Sequence, residues 1–219
     1  MVTSKQFYKK FKAEGLAQRK TKMSTRKEVA YLKRLVNKKS RILDLCCGYG
    51  RISIPLAKQG YNVQGIDLTP NLIKKAKETA RKEKVKIAFR IGDMRKLPYK
   101  DNSFDAIFCL WTAFAELIKR EDQVKSLKEM FRVLSPKGIV FIDLPRNKKR
   151  TKKQMKTSDF MRKGRFLIPR FGPIIGMPLY IHTKKSLKSL MKSAKIRKFK
   201  IKIGDFGGRD RLILKFWKK

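Results

Sequence analysis

Carboxylates lie within or at the end of two short apolar runs in this sequence, and a pair of glycines follows the first, where the strands of an α/β sheet would end. Asp44 precedes a turn that contains Gly48 and Gly50. Asp67 ends the next apolar run. A carboxylate accepts hydrogen bonds from two hydroxyls at once, and glycine lets the backbone approach a ligand closely. The pattern predicts a nucleotide-binding site in which Asp67 is placed for ribose hydroxyls.

The kind of nucleotide is indicated by the residues around the glycine turn. A dinucleotide fingerprint has a third glycine that allows helix and strand to pack closely, but Ser53 stands at that position. Asp44 would repel a pyrophosphate, whereas it would attract a cationic amino-acid group. The turn therefore disfavours NAD and favours a ligand with a positive charge.

Strand and helix patterns alternate along the chain, which predicts a parallel sheet covered by helices on both faces. The predicted strands of this region are Arg41–Cys47, Tyr61–Ile66, Val85–Ile91, Phe104–Leu110 and Ile139–Leu144. Helices are predicted at 52–57, 70–84 and 120–134, and a turn at 135–138. Beyond residue 182 the patterns predict a helix capped by Thr183 and two closing strands, Lys195–Ile203 and Arg211–Trp217.

Five segments resemble, in order, the motifs of class I S-adenosylmethionine (SAM) dependent methyltransferases. These segments are Ile42–Gly50, Gly65–Thr69, Gly92–Met94 with Leu97-Pro98, Phe104–Ile107 and Phe131–Gly138. The first resembles the common motif L-D-L-G-C-G-x-G, with Cys46 in place of the first glycine. The resemblance implies a three-layer Rossmann-like α/β fold, with a mostly parallel seven-stranded sheet and one antiparallel C-terminal strand. It also implies an enzyme whose cofactor is SAM.

The resemblance implies cofactor contacts for the matched residues. Around the methionine part of SAM it places Asp44, Cys46, Gly48 and Gly50. Asp67 would bind the ribose hydroxyls. Around adenine it places Leu68, Gly92, Asp93 and Met94, with Asp93 accepting a hydrogen bond from the adenine amine. Near the sulfonium it places Leu110 and Trp111.

The residues that would bind the methyl acceptor are indicated less clearly by the sequence than those that would bind SAM. The segment after the fourth strand lacks the N/D-P-P-Y/F motif of amine-directed nucleic-acid methyltransferases, which disfavours base N-methylation of that kind. Cys109 is not preceded by proline, as the nucleophile of a pyrimidine-C5 methyltransferase would be, and it is therefore interpreted as a core residue. Trp111, Tyr180 and His182 are candidate substrate residues, and His182 is the one candidate general base. The alternative for His182 is a surface or capping histidine.

Charge suggests a polyanionic acceptor. The chain has 58 Lys and Arg against 17 Asp and Glu, a formal net charge of +41. The acid-free run 146–156, which includes Lys148, Lys149 and Arg150, is followed by phenylalanines among further basic residues, as on a surface that tracks phosphates. These features favour RNA or a ribonucleoprotein as the acceptor. The alternatives are a small-molecule methyltransferase with a lid-like insertion, a non-catalytic RNA-binding protein of the same fold, or a lysine-rich surface without a partner.

The sequence is interpreted as one domain over residues 1–219. Its parts are a helical lead-in at 1–39, a SAM-binding core at 40–144, a basic insertion at 145–182 and a closing helix and strands at 183–219. Three cysteines, two of them adjacent, suit neither a disulfide scaffold nor a metal site. No apolar stretch is long enough to span a membrane and no secretory signal is evident, so a cytoplasmic location is expected.

Overall fold

The structure is a computed structural model that describes residues 22–146, 160–163, 166–171, 174–175 and 178–219. The first half alternates strand and helix: α1 (Lys22–Lys33), β1 (Arg41–Leu45), α2 (Ser53–Lys58), β2 (Asn62–Asp67), α3 (Pro70–Lys82), β3 (Ala88–Ile91) and β4 (Phe104–Cys109). A 3-10 helix (Ala113–Glu116), α4 (Arg120–Val133) and β5 (Leu134–Pro145) follow. The remaining elements are β6 (Phe160–Lys163), β7 (Phe166–Phe171), β8 (Ile174–Ile175), β9 (Leu179–Tyr180), α5 (Lys184–Ser193), β10 (Phe199–Asp205) and β11 (Asp210–Trp217).

Seven strands form the main sheet, in the order β10-β11-β5-β4-β1-β2-β3. Strands β1 to β5 pair in parallel, whereas β11 is antiparallel to both β5 and β10. The predicted fold class, with one antiparallel strand near the C-terminal end, is confirmed. Because the strands are parallel, their carboxyl ends meet at one edge, and the loops after β1, β2, β3 and β4 lie close together there.

Helices cover both faces of the sheet because successive strand residues point to opposite sides. On β4, Ile107 packs in the core layer that contains α4 and α5, while Phe108 packs in the layer that contains α1 and α2. Both residues are completely buried. The continuous apolar runs of the sequence thus correspond to strands with two buried faces.

Several element boundaries differ from those predicted. Strand β3 begins at Ala88, three residues later than expected. The predicted turn at 135–138 lies inside β5, because Leu134 already pairs with Phe104 and the register shifts before Ala106 pairs with Ile139. Such an irregularity absorbs extra residues without ending the strand.

The described part of the basic insertion contains strands rather than irregular chain. Strand β7 pairs with β6, β8 and β9, all antiparallel, in a second sheet of four strands. Residues 147–159 lie outside the described part. After β9, Thr183 caps α5 in a capping box with Ser186, as predicted. No helix in the described ranges is long and apolar enough to cross a membrane.

Candidate functional site at the carboxyl ends of the strands

Asp44 lies near the end of β1, beneath the glycine turn, and is almost fully buried. Its Oδ2 accepts hydrogen bonds from the backbone N–H of Ser53 at 3.1 Å and from the Ser53 hydroxyl at 2.5 Å. Ser53 is the residue that replaces the third glycine of a dinucleotide fingerprint, and its role as the partner of Asp44 was not predicted. Burial raises the pKa of Asp44 to about 6, although the Ser53 hydroxyl and the charge of Arg51 oppose that shift.

Three residues of the glycine turn have left-handed backbone angles. Cys46, Gly48 and Gly50 have φ of 61°, 55° and 82°. A glycine is common where Cys46 stands because only glycine adopts this region without steric cost. An added Cβ on Gly48 would meet a single neighbouring carbon at 3.9 Å, so space remains open above the turn.

Asp67 ends β2 and is held by backbone amides on both sides. Its Oδ2 accepts a hydrogen bond from the N–H of Gly48, and its Oδ1 accepts one from the N–H of Thr69, each at 2.9 Å. Burial raises the pKa of Asp67, against the effect of these hydrogen bonds. The neighbouring Leu68 is half-buried. Both carboxylate oxygens retain acceptor capacity for hydroxyl groups.

Asp93 lies after β3 beside Gly92 and the buried Met94. Its carboxylate accepts hydrogen bonds from the backbone and the guanidinium of Arg95, which was not predicted. Burial would raise the pKa of Asp93, but the hydrogen bonds from Arg95 outweigh it and lower the pKa. Arg95 also pairs with Asp122 of α4, so the expected adenine contact of Asp93 would be shared with this cation.

The segment after β4 has an unusual backbone. Leu110 is buried, and the next two residues, Trp111 and Thr112, have left-handed φ of 52° and 69°. Such angles are costly for bulky and β-branched residues. Asp143 of β5 holds the turn, because its Oδ1 accepts a hydrogen bond from the N–H of Trp111 at 2.5 Å. Its Oδ2 accepts one from Nε of the buried Arg211 at 2.7 Å.

Arg51 connects the glycine turn with the segment after β4. Its guanidinium lies 5.7 Å from the centre of the Trp111 ring. It also forms a buried ion pair with Glu28 of α1 and donates a hydrogen bond to Thr25 at 3.2 Å. This role of Arg51 was not predicted, although a basic residue directly after the glycine turn was a signal for it.

His182 lies between two aromatic rings beyond β9. Its imidazole is 5.6 Å from the Phe114 ring and 4.8 Å from the Tyr180 ring, centre to centre. It is completely buried, so the alternative of a surface or capping histidine is wrong, and Thr183 is the capping residue instead. Burial lowers the pKa of His182 to about 4, so the ring is neutral at pH 7.

The structure brings most of the predicted site residues to one edge of the sheet. At or just after the carboxyl ends of β1 to β4 lie Asp44, Cys46, Gly48, Gly50, Asp67, Leu68, Gly92, Asp93, Met94, Leu110 and Trp111. Tyr180 and His182 join them through β9, which packs against the 3-10 helix. Lys148, Lys149 and Arg150 lie outside the described residues. Cys109 is buried in the core, and the described residues contain no cluster suited to a metal ion.

The donor set fits SAM. Asp44, whose Oδ1 takes no part in the two Ser53 hydrogen bonds, suits the cationic amino group of the methionine part. Asp67 suits the two ribose hydroxyls, and the open space over Gly48 leaves room for a ligand against the backbone.

Comparison with known proteins supports the same assignment. A family model described as a methyltransferase domain matches residues 36–195. The chain is 39% identical over 106 residues to YqeM of Bacillus subtilis, and 41% identical over 109 residues to the demethylmenaquinone methyltransferase of Staphylococcus aureus. Each alignment covers 48% of this chain, with 42% and 43% of the relative. The chain thus spans less than half the length of these curated relatives.

Solved structures show the same fold. A protein from Pyrococcus horikoshii OT3 superposes with a TM-score of 0.72 at 21% identity, covering 96% of this chain and 94% of its own. A SAM-dependent methyltransferase from Methanosarcina mazei gives 0.69 at 22% identity, covering 86% and 98%. Because the family model matches residues 36–195, the chain belongs to the family of methyltransferase domains, and the donor set described above fits SAM as its cofactor.

Proposed function

We propose that this chain transfers a methyl group from SAM to a small, mainly apolar molecule. One observation carries the proposal: apart from Arg51, which is paired with Glu28, the residues described on the acceptor side are aromatic, and the imidazole among them is neutral at pH 7. Trp111 and Tyr180 are half-buried, while Phe114 and His182 are fully buried. Flat apolar molecules bind to such surfaces, whereas phosphate groups are usually held by arginine and lysine.

One side of the site binds the cofactor, and the other positions the acceptor. SAM, when bound, supplies a methyl group on a positively charged sulfur. Asp44 holds the amino group and Asp67 the ribose, and Asp143 fixes the backbone of Trp111 on the acceptor side. Methyl transfer depends mainly on alignment of the acceptor with the methyl group, so this positioning is the main contribution expected from the protein.

The relatives support a small acceptor. The Staphylococcus aureus relative is named for demethylmenaquinone, a small molecule, and it shares 41% identity with this chain over 109 residues. The region matched is about half of this chain. We therefore propose that the acceptor of this chain is also a small molecule, without assigning demethylmenaquinone itself.

The test is incubation with radiolabelled SAM and total cell extract, separated into small-molecule, RNA and protein fractions. We expect label in the small-molecule fraction, and loss of that label with Asp67→Ala. Label confined to RNA or protein would overturn the proposal. Binding of SAM without transfer to any fraction would favour the non-catalytic alternative.

RNA is the second candidate acceptor, and one surface supports it. Nine exposed basic residues lie on α5, on β10 and in the segment between them: Lys184, Lys185, Lys188, Lys192, Lys195, Arg197, Lys198, Lys200 and Lys202. We call this surface the basic face. The sequence contains no Asp or Glu from residue 160 to residue 204. Positive surfaces of this kind attract polyanions and raise their rate of association.

A pair of matched variants tests the RNA candidate. One variant replaces Lys184, Lys185, Lys188 and Lys192 of α5 by Gln. The control replaces Lys74, Lys77, Lys82 and Lys86, which are also exposed and lie on or near α3. If single-stranded RNA binds the basic face, only the first variant flattens the dependence of log K on log salt, by about 0.7 for each phosphate that is no longer neutralised. Equal effects of both variants would show that net charge alone attracts RNA.

A further inference from the structure

His182 combines complete burial with unused hydrogen-bonding capacity. Its side chain has no exposed surface, and neither Nδ1 nor Nε2 has a hydrogen-bond partner within the described ranges. A neutral imidazole carries one donor and one acceptor, and burying them without partners is unfavourable. Leucine would fill a similar volume without that penalty. Packing alone therefore does not explain a histidine at this position.

The imidazole lies at the acceptor side of the site. It packs against Phe114, which belongs to the 3-10 helix that directly follows the turn at Trp111 and Thr112. It also packs against Tyr180. Tyr180 is partly exposed whereas Phe114 is fully buried, so a ligand would reach the imidazole from the Tyr180 side.

The charge of the ring limits the ligand groups that it can bind. Burial keeps His182 neutral at pH 7, so it does not attract a carboxylate or a phosphate as a cation would. One nitrogen of the neutral ring accepts a hydrogen bond, and a hydroxyl is a suitable donor. The rings of Phe114 and Tyr180 provide flat apolar surfaces beside that nitrogen.

We infer that His182 binds the hydroxyl group of a phenol-like acceptor, whose aromatic ring packs beside Tyr180. This inference rests on the proposed function, since it names the chemical class of the small acceptor at the same site. Accepting a hydrogen bond from the hydroxyl would fix the orientation of the bound aromatic ring in the site. In this role His182 is an acceptor-binding residue that remains neutral.

Nuclear magnetic resonance tests the inference directly, because His182 is the one histidine in the chain. The tag-free, ¹⁵N-labelled full chain is saturated with S-adenosylhomocysteine and titrated with 1-naphthol. We expect a saturable shift of the imidazole ¹⁵N signals. Naphthalene, which lacks the hydroxyl, is the matched probe and should leave the ¹⁵N shifts much less affected. Equal responses to the two probes, or none to 1-naphthol, would overturn the inference.

The binding measurement separates this inference from the proposed function. A hydroxyl-dependent shift supports the role of His182 whether or not 1-naphthol is methylated, because the spectrum reports binding alone. Label that appears only in RNA in the extract experiment would overturn the proposed function without changing that spectrum.

Two variants distinguish ligand binding from a structural role. His182→Leu removes the unpartnered polar atoms, so we expect a higher Tm, about tenfold weaker 1-naphthol binding and unchanged affinity for S-adenosylhomocysteine. His182→Asn, which keeps a donor and an acceptor, should recover part of the 1-naphthol affinity. A lower Tm with unchanged 1-naphthol binding in His182→Leu would show that the imidazole is structural.

Discussion

The two sides of the site satisfy their buried polar groups in different ways. On the cofactor side, Asp44 and Asp67 accept hydrogen bonds from backbone amides or Ser53 of the protein itself. On the acceptor side, His182 has no such partner among the described residues, and Trp111 has a costly backbone conformation. The cofactor side is thus preorganised, whereas the acceptor side retains polar groups and strain that a ligand can use.

The largest effect is expected from removing Asp143, whose carboxylate holds the backbone of Trp111 on the acceptor side. Asp143→Ala leaves the buried Arg211 without its carboxylate and Trp111 without its hydrogen bond, so we expect a loss of about 3–5 kcal/mol in the free energy of unfolding. Urea denaturation measures this change. Asp105→Ala, which removes the exposed partner of Arg41, is the control and should cost about 1 kcal/mol or less. Similar losses in the two variants would contradict the expectation that the buried pair of Asp143 and Arg211 contributes more to stability than the pair of Asp105 and Arg41.

The pH dependence of stability distinguishes the two sides of the site. Lowering the pH favours the folded protein through Asp44 and disfavours it through His182. The folded-state pKa of His182 is about 4, below its usual value of 6.5, so its contribution to stability is lost as pH falls from about 6.5 to 4. The folded-state pKa of Asp44 is about 6, above its usual 3.8, so its contribution is gained as pH falls from about 6 to 3.8. Each amounts to about 3 kcal/mol.

Single variants separate these two contributions. Relative to wild type, His182→Leu should gain stability progressively as pH falls from 6.5 to 4, and Asp44→Asn should lose it over the range from 6 to 3.8. Urea denaturation at half-unit pH intervals measures both differences. Differences from wild type that do not change with pH would show that neither group titrates as described. Added SAM should reduce the Asp44 effect, because a bound ammonium favours the ionised carboxylate.

Asp67→Ala tests the cofactor side. Loss of the hydrogen bonds between a charged acceptor and the ribose hydroxyls should weaken SAM binding by about 1.5–3 kcal/mol, which is roughly 10- to 150-fold. Isothermal titration calorimetry measures this affinity. Asp105→Ala serves again as the control, since Asp105 lies at the start of β4, away from the site edge. An unchanged affinity in Asp67→Ala would remove Asp67 from the cofactor site.

The smallest effect is expected at Cys46. Replacing it by Gly removes the steric cost of a left-handed residue, so we expect the free energy of unfolding to rise by about 0.5–1 kcal/mol. Thermal denaturation measures the gain. Lys137→Gly is the control, because Lys137 also has a left-handed φ, of 63°, but is exposed and distant from the glycine turn. A gain at Lys137 with a loss at Cys46 would show that the Cys46 thiol contributes packing that outweighs the strain.

The cofactor side was predictable from sequence because its signals are local. Asp44, Gly48 and Gly50 lie within seven residues, and Asp67 directly ends an apolar run. The parallel sheet was predicted from the alternation of strand and helix patterns along the chain. Even Ser53, which served only to disfavour a dinucleotide, lies close to the glycine turn that positions it.

The acceptor side depends on contacts between distant parts of the chain. Asp143 lies inside an apolar strand, and its partner Arg211 is 68 residues away, so spacing gave no signal for the pair. Left-handed angles at Trp111 and Thr112 are rare for such residues and are imposed by the surrounding structure. The burial of His182 depends likewise on β9 packing against the 3-10 helix.

The position of β11 has a consequence for synthesis of the chain. β11 lies between β5 and β10, although it is translated after both. While residues 146–209 emerge from the ribosome, β5 has β4 on one side and no partner on its other edge in the main sheet. Unpaired edges of apolar strands are prone to intermolecular pairing. A translational pause before residue 210 would therefore prolong the time during which the nascent sheet can aggregate.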